Sequence, residues 1–528
     1  MHKQICKNKS LTNAIGQHTL LYETRQKQEK ILGLYFDTVF HSWWEFYFTY
    51  ILNFGYKDIP TSIFWLHHIN LLHLYFILFS QNVKYIIGDA CTHYIFNLIT
   101  KNYIRTNVCM NCCRYSTLTE RTISVSGSTF SSLEWTSIAW GAGLVLAAPI
   151  LAFISLYING PFQTLITAAA TGIGFLFCLP VGLFKTTKIF ILYIAMIVVA
   201  ITVSTATHTH HLALMAPTLS RPPLKRLTLV SSKQGISSWI SLCATVVGCL
   251  GACIVSSFTY HMLREPIERE YISLWIVSIF CGLLWLVGVL HAVTAENRTS
   301  SVPNILSSRL QLFTIFKNPN AIGGLVSVLL SSFTTMSIFT GGVLFILGQL
   351  CIEPVHVLYF WLTYFLFPLV SLPLLFQPLQ HLIKANSVKM KIMGLLLSLI
   401  SSGFGFYFWD SHWKWGHLLV FGAIQGTSSG LLHTFGRVLM LDTAPRGEEG
   451  GFSVWYGWVK GVGLCGGFIV GSVVPGRVRT SFGAAFCSAL IGIVVLLFGN
   501  VNDFGVVREG GEMALDSKES ISVWECVV

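Results

Sequence analysis

Four polar residues recur at intervals of four between His417 and Leu441: Gln425, Ser429, His433 and Arg437. On an α-helix this spacing sets them along one slowly drifting face. The next apolar stretch, from Phe452, carries Lys460 about eight residues in, or roughly 12 Å at 1.5 Å per residue. Polar side chains inside helices of hydrocarbon length are costly unless they face a protein interior or a wet path. An amide, a hydroxyl, an imidazole and two cations on such a path could bind and pass a small polar solute. A buried cation suits a carboxylate, and an imidazole can carry protons near neutral pH. Each residue also has a plainer reading. Lys460 could reach outward along its own stem, and His433 could be a packed, hydrogen-bonded group.

Further candidates lie elsewhere. Asn53 and Lys57 share a face of the first apolar stretch. Ser331 and Thr334 belong to a hydroxyl-rich patch with Ser327, Thr335 and Ser337. Hydroxyls in helices often bond their own backbone, which competes with any role toward a solute. The expected path is therefore Asn53, Lys57, Ser331, Thr334, Gln425, Ser429, His433 and Lys460. Arg437 stands near the end of its helix and pairs in this reading with Asp442 or Glu448. With Pro445, Arg446 and Gly447 these residues form the expected gate or loop motif, Asp442 to Gly451. Pro445 discourages helix continuation, and glycines allow the tight turn. Glu448 and Glu449 would sit at the positive amino end of the following helix. A contact with Lys384 or Lys389 is the alternative for them. Gly463, Gly467 and Gly471 are also four apart, a strip where another helix can approach closely.

The elements that must position these residues follow from composition. The chain has 528 residues, 53% hydrophobic and only 11% charged, with a mean hydropathy of +0.64. Soluble domains carry about 25% charge, so this is an integral membrane protein. Spans of about 20 apolar residues are expected at 42–66, 135–157, 162–184, 188–207, 235–258, 271–293, 321–348, 355–377, 389–409, 417–441, 452–474 and 481–500. The fold class is all-α and polytopic, with twelve transmembrane helices in two bundles of six. Residues 1–41 read as a cytoplasmic tail and 42–293 as the first bundle, with an irregular insertion or long loop at 67–132. Residues 294–320 read as a central cytoplasmic loop, 321–502 as the second bundle and 503–528 as a second tail. The net charge of +11 fits Lys and Arg gathered on cytoplasmic loops, and no basic helix interleaved with aromatics points to nucleic acid. No metal or other cofactor is expected. Cys109 and Cys112 lack a second pair at zinc spacing, and His208, His210 and His211 lack a carboxylate.

Three stretches carry a family resemblance. They are Trp44-Glu45-Phe46-Tyr47 with Asn53-Phe54-Gly55-Tyr56, Val230-Ser231-Ser232-Lys233-Gln234-Gly235, and Ala444 through Tyr456 (APRGEEGGFSVWY). Twelve spans in two sixes resemble the major facilitator superfamily. Within it, the chain resembles the vacuole effluxer family, related to an autophagy-associated vacuolar amino-acid exporter. The similarity covers most of 42–66 and 134–502 and leaves out 67–132. It departs from the superfamily in the loop Tyr157-Ile158-Asn159-Gly160-Pro161, which lacks the usual charges. The resemblance implies a secondary transporter, not an enzyme, that moves amino acids across the vacuolar membrane by alternating access. Proton coupling is a further expectation, resting on His433, Asp58 and Glu134. The competing readings are a membrane-embedded acyltransferase using His433 as base, and a receptor or scaffold that transports nothing.

Overall fold

The computed structural model describes residues 122–125, 128–160, 162–179, 189–219, 233–263, 276–286, 289, 311–348, 354–383, 385–408, 413–445, 447–473 and 478–499. The expected first span with Asn53 and Lys57, both tails and Arg446 lie outside these residues. So do most of 67–132 and of the central loop.

A short antiparallel hairpin, β1 (Thr122–Val125) and β2 (Ser128–Ser131), comes first in the described chain, with Thr122 opposite Ser131. Among the described residues, every later secondary-structure element is a helix. The first set comprises α1 (Ser132–Ile154), α2 (Gln163–Cys178), α3 (Phe190–Leu219), α4 (Lys233–Leu263) and the shorter α5 (Ile276–Leu286). The second comprises α6 (Pro319–Gly348), α7 (Pro354–Ser371), α8 (Gln377–Leu382), α9 (Ser387–Tyr407), α10 (Trp415–Asp442), α11 (Glu449–Val473) and α12 (Val478–Phe498). A π-helical turn, Leu372–Phe376, joins α7 to α8. A helix thus stands at each expected span from 135 onward.

Two boundaries differ from expectation. Helix α3 runs to Leu219, so His208, His210 and His211 lie inside it rather than at its end. Leu, Ala and Met follow these histidines, and all three favour the helix. The end of the central loop is also helical, with a turn at Gln311–Thr314 and a 3₁₀ turn at Ile315–Lys317. Trp455 of α11 donates its Nε1–H to the carbonyl of Leu312 at 2.7 Å, and its ring meets Phe316 edge-on. This pins the segment against α11.

Seven of the described helices are long and apolar enough to cross a membrane, and α10 and α11 are not among them. Their polar residues lower their hydropathy, and burial inside the protein compensates. Gln425, Thr427, Ser428, Thr434 and Arg437 of α10 are all buried. Helix α11 is gripped on two faces. Val454, Gly457 and Gly461 face α1 and α3 of the first set. A side chain at Gly457 would meet the carbonyl of Thr202 and the backbone of Ala206. Gly463 and Gly467 face α6, where an added Cβ would come within 2.5 Å of the carbonyls of Leu329 and Phe333. Gly471 lies against the side chain of Thr340 on the same helix. Trp458 donates to the carbonyl of Leu144 at 3.3 Å, a second tie from α11 to α1.

Helix α10 uses a similar device toward α7. Gly422 faces the ring of Phe360, Gly430 faces Leu372 and Pro368, and a Cβ at Gly426 would fall on the backbone of Tyr364. Pro368 has no N–H to give to the carbonyl of Tyr364 four residues earlier. That carbonyl is the group Gly426 approaches.

Candidate functional site

The site is built where α10 and α11 run antiparallel from their shared turn. Gly447 in that turn has a φ of +85°, a conformation that glycine adopts without strain. Its N–H donates to the Glu449 carboxylate at 2.7 Å. Glu449 opens α11, where a negative charge meets the positive end of the helix. Pro445 accepts from the Glu448 N–H at 3.2 Å, closing the turn. The Asp442 carboxylate accepts from Ser387 Oγ at 3.0 Å, tying the end of α10 to the start of α9.

About three turns into the bundle from this turn, Lys460 Nζ meets His433 Nδ1 at 2.7 Å. The contact needs one donor and one acceptor. It is satisfied by a protonated Lys460 and a neutral His433 that carries its proton on Nε2. Lys460 is 5% exposed, so its stem does not carry it out to the surface. Its Nζ also stands 5.8 Å from the centre of the Tyr456 ring, within the range where a cation is attracted to an aromatic face. Arg437, 5% exposed, lies one turn from His433 on the same helix. His433, half-buried, and the buried Arg437, Tyr456 and Lys460 thus form one basic cluster between α10 and α11.

The expected row on α10 divides. Gln425 turns to α9, where its Oε1 accepts from Ser401 Oγ at 2.5 Å. Eight residues of helix rotate the face by about 80°, so Gln425 and His433 reach different neighbours. Ser429 between them is half-buried. Beside Gln425, Ser398 and Ser428 share a hydrogen bond at 2.5 Å, and Ser428 also donates to the carbonyl of Gly394. The α9–α10 seam is thus a hydroxyl-lined contact within the second bundle.

The hydroxyls of α6 largely serve helix packing. Ser331 donates to the carbonyl of Val328 at 3.0 Å. Thr334 donates to Leu330 and shares a 2.6 Å hydrogen bond with Ser488 of α12. Thr335 bonds the carbonyl of Ser331.

Two residues escaped the reading of the sequence. Tyr456 is 2% exposed and stands one turn before Lys460; its i,i+4 spacing was the available signal. Lys391, within the span expected at 389–409 but not among the candidates, lies inside α9 and is fully buried, its Nζ beside Gly436. It has no hydrogen-bond partner among the described residues. The signal there was Asn386, whose Oδ1 caps α9 by accepting from the Lys389 N–H at 3.0 Å. The cap sets Lys391 more than a turn inside the helix, which begins at Ser387. Lys389 remains exposed.

Comparison with known protein families and with curated proteins finds no match. Comparison with solved structures finds many matches, among them three at low sequence identity. The human organic anion transporter MFSD10 (TETRAN) is 11% identical, with a TM-score of 0.49 over 80% of this chain and 99% of that one. FucP, a major facilitator superfamily transporter in its outward conformation, is 9% identical, with a TM-score of 0.51 over 80% of this chain and 98% of its own. The proton:xylose symporter XylE, bound to 6-bromo-6-deoxy-D-glucose, is 12% identical, with a TM-score of 0.55 over 82% and 97%. Matched across nearly the whole of FucP and XylE, this chain has the fold of the major facilitator superfamily.

Proposed function

We propose that this chain is a secondary transporter that moves small solutes through the membrane by alternating access. The observation that carries the reading is the Lys460–His433 contact, half-buried between α10 and α11. Its position in a two-bundle fold supports a role on the translocation path, since carriers of this design place their sites between the halves. In this reading Lys460 offers its ammonium to an anionic group of the solute, and His433 holds the ammonium in place between cycles. Tyr456 supplies the aromatic face under the cation, and Arg437 adds a second positive charge. Asp442, Arg446 and Glu448 form the gate at the turn.

The finer assignment rests on the motif stretches alone. The APRGEEGGFSVWY run and its two companions favour an amino acid as solute and the vacuolar membrane as location. An amino-acid carboxylate matches the basic cluster in charge. Proton coupling is part of the proposal because His433 can exchange a proton with a group that binds and leaves.

Uptake into proteoliposomes tests the whole reading. The purified chain should accumulate at least one labelled neutral amino acid from a mixed panel, and an imposed pH gradient should change the initial rate. No uptake of any panel member, from protein with a cooperative melt, would sink the amino-acid assignment. Uptake indifferent to the gradient would remove the coupling.

A further inference from the structure

Helix α10 makes a buried polar contact with α4 one residue beyond His433, on another face. Ser241 Oγ of α4 donates to the carbonyl of Thr434 at 3.0 Å. Thr434 Oγ1 donates to Thr245 Oγ1 at 2.9 Å. Thr245 Oγ1 in turn donates to the carbonyl of Ser241 at 2.9 Å. The three hydroxyls close a ring in which every O–H has an acceptor. All three are buried, Ser241 and Thr434 completely. Helix α4 belongs to the first set and α10 to the second, so two of the three bonds join the halves.

The ring lies toward one end of the bundle. Thr434 stands eight residues before the end of α10 at Asp442, and Ser241 eight residues after the start of α4 at Lys233. Each is about 12 Å from its helix terminus. At the same end α11 closes on the first set, Gly457 against the backbone of Thr202 and Ala206 and Gly450 against the side chains of Ile158 and Asn159.

We propose that Ser241, Thr245 and Thr434 form a releasable clasp. It holds the two halves together at the Asp442–Glu449 end and ties their closure to the Lys460–His433 contact one residue away. This rests on the alternating-access reading above. Hydroxyls suit a contact that must break in every cycle. When α4 and α10 part, each can turn to the carbonyl four residues back in its own helix. No polar group is then stranded at bilayer depth, as one partner of a buried ion pair would be. The coupling follows from geometry. His433 and Thr434 are adjacent on a stiff helix. A shift of α10 that moves His433 relative to Lys460 moves Thr434 relative to Thr245 by a similar distance.

Hydrogen exchange on the full-length protein, followed by mass spectrometry, tests the clasp without a transport assay. Thr434→Val and Thr245→Val each remove the hydroxyl link and keep the shape. Each should speed exchange of amides over 233–241 and 442–451 by about five-fold, the factor expected for one buried hydrogen bond. The double variant should exchange no faster than either single one, since both break the same ring. Thr434→Ser keeps the hydroxyl and should behave as the parent. If a valine variant fails to fold, Ser241→Ala removes the other crossing bond and should give a smaller increase at the same segments. Parent-like exchange in folded Thr434→Val and Thr245→Val, or in Ser241→Ala where those do not fold, would overturn the clasp and leave the transporter reading standing. A parent protein that transports nothing yet responds as described would overturn the transporter reading instead.

Discussion

Gly467→Ala should destabilise the protein while Gly466→Ala, its neighbour on the same helix, should not. At Gly467 an added Cβ would lie 2.5 Å from the carbonyl oxygen of Phe333 and 2.9 Å from both Met336 Cβ and Ser337 N. Real Cβ atoms essentially never come closer than 3.0 Å to another heavy atom. None of these neighbours can rotate away, since two are backbone and the third is itself a Cβ. Helix α11 must therefore retreat from α6 by at least the difference, 3.0 − 2.5 = 0.5 Å. A gap of about 0.5–1 Å forfeits a quarter to a half of each dispersion contact along the seam, and overpacking of this kind costs about 1–3 kcal/mol. At Gly466 the new methyl would meet only ring carbons of Phe333, the nearest at 3.3 Å, and a ring can tilt. Both substitutions gain the same helix propensity, about 1 kcal/mol, so that contribution cancels in the comparison. The expected difference is about 2 kcal/mol, or about 4 °C in melting midpoint if each kcal/mol moves it by about 2 °C in a chain of this size. Tryptophan fluorescence during a thermal ramp in detergent reads it directly. Equal midpoints for the two variants would show that α11 does not lie against α6 as described.

Other perturbations have defined outcomes. Ser401→Ala takes away the one partner recorded for the Gln425 amide, whose Nε2 already lacks one among the described residues. It should lower stability by about 2 kcal/mol, and Gln425→Leu in that background should restore part of the loss in the same melt. Ser387→Ala removes the tie between α9 and Asp442 and should cost about 1 kcal/mol, with faster amide exchange confined to the start of α9 and the turn. Trp455→Phe keeps the ring against Phe316 but drops the bond to Leu312. Limited proteolysis should then cut the segment around 311–317 faster at an unchanged melting midpoint.

Much of the fold was legible because hydrocarbon thickness sets the length of each apolar stretch and Pro445 with Gly447 marks the turn between the two polar helices. What local pattern could not supply was direction. Gln425 and His433 share a spacing rule, yet their faces drift apart, and only the packing of α9 and α11 decides what each touches. The strip Gly463, Gly467 and Gly471 was visible as a run of fours. Gly422, Gly426 and Gly430 make an equal run that the polar row beside it obscured. Lys391 lay inside an expected span, but only the packing of α9 against Gly436 of α10 shows that it is buried. Thr434 and Thr245 are 189 residues apart, and no periodicity joins them. The histidines of α3 looked like a helix end because they are polar, although the residues after them favour the helix.

The central claim is that the Lys460–His433 contact stands on the path of the solute. Initial flux of a transported amino acid by Lys460→Ala, in vesicles matched for the amount of folded protein, tests it most directly. Flux should fall by at least ten-fold while the melting midpoint stays within a few degrees of the parent. Parent-like flux from a folded Lys460→Ala protein would contradict it.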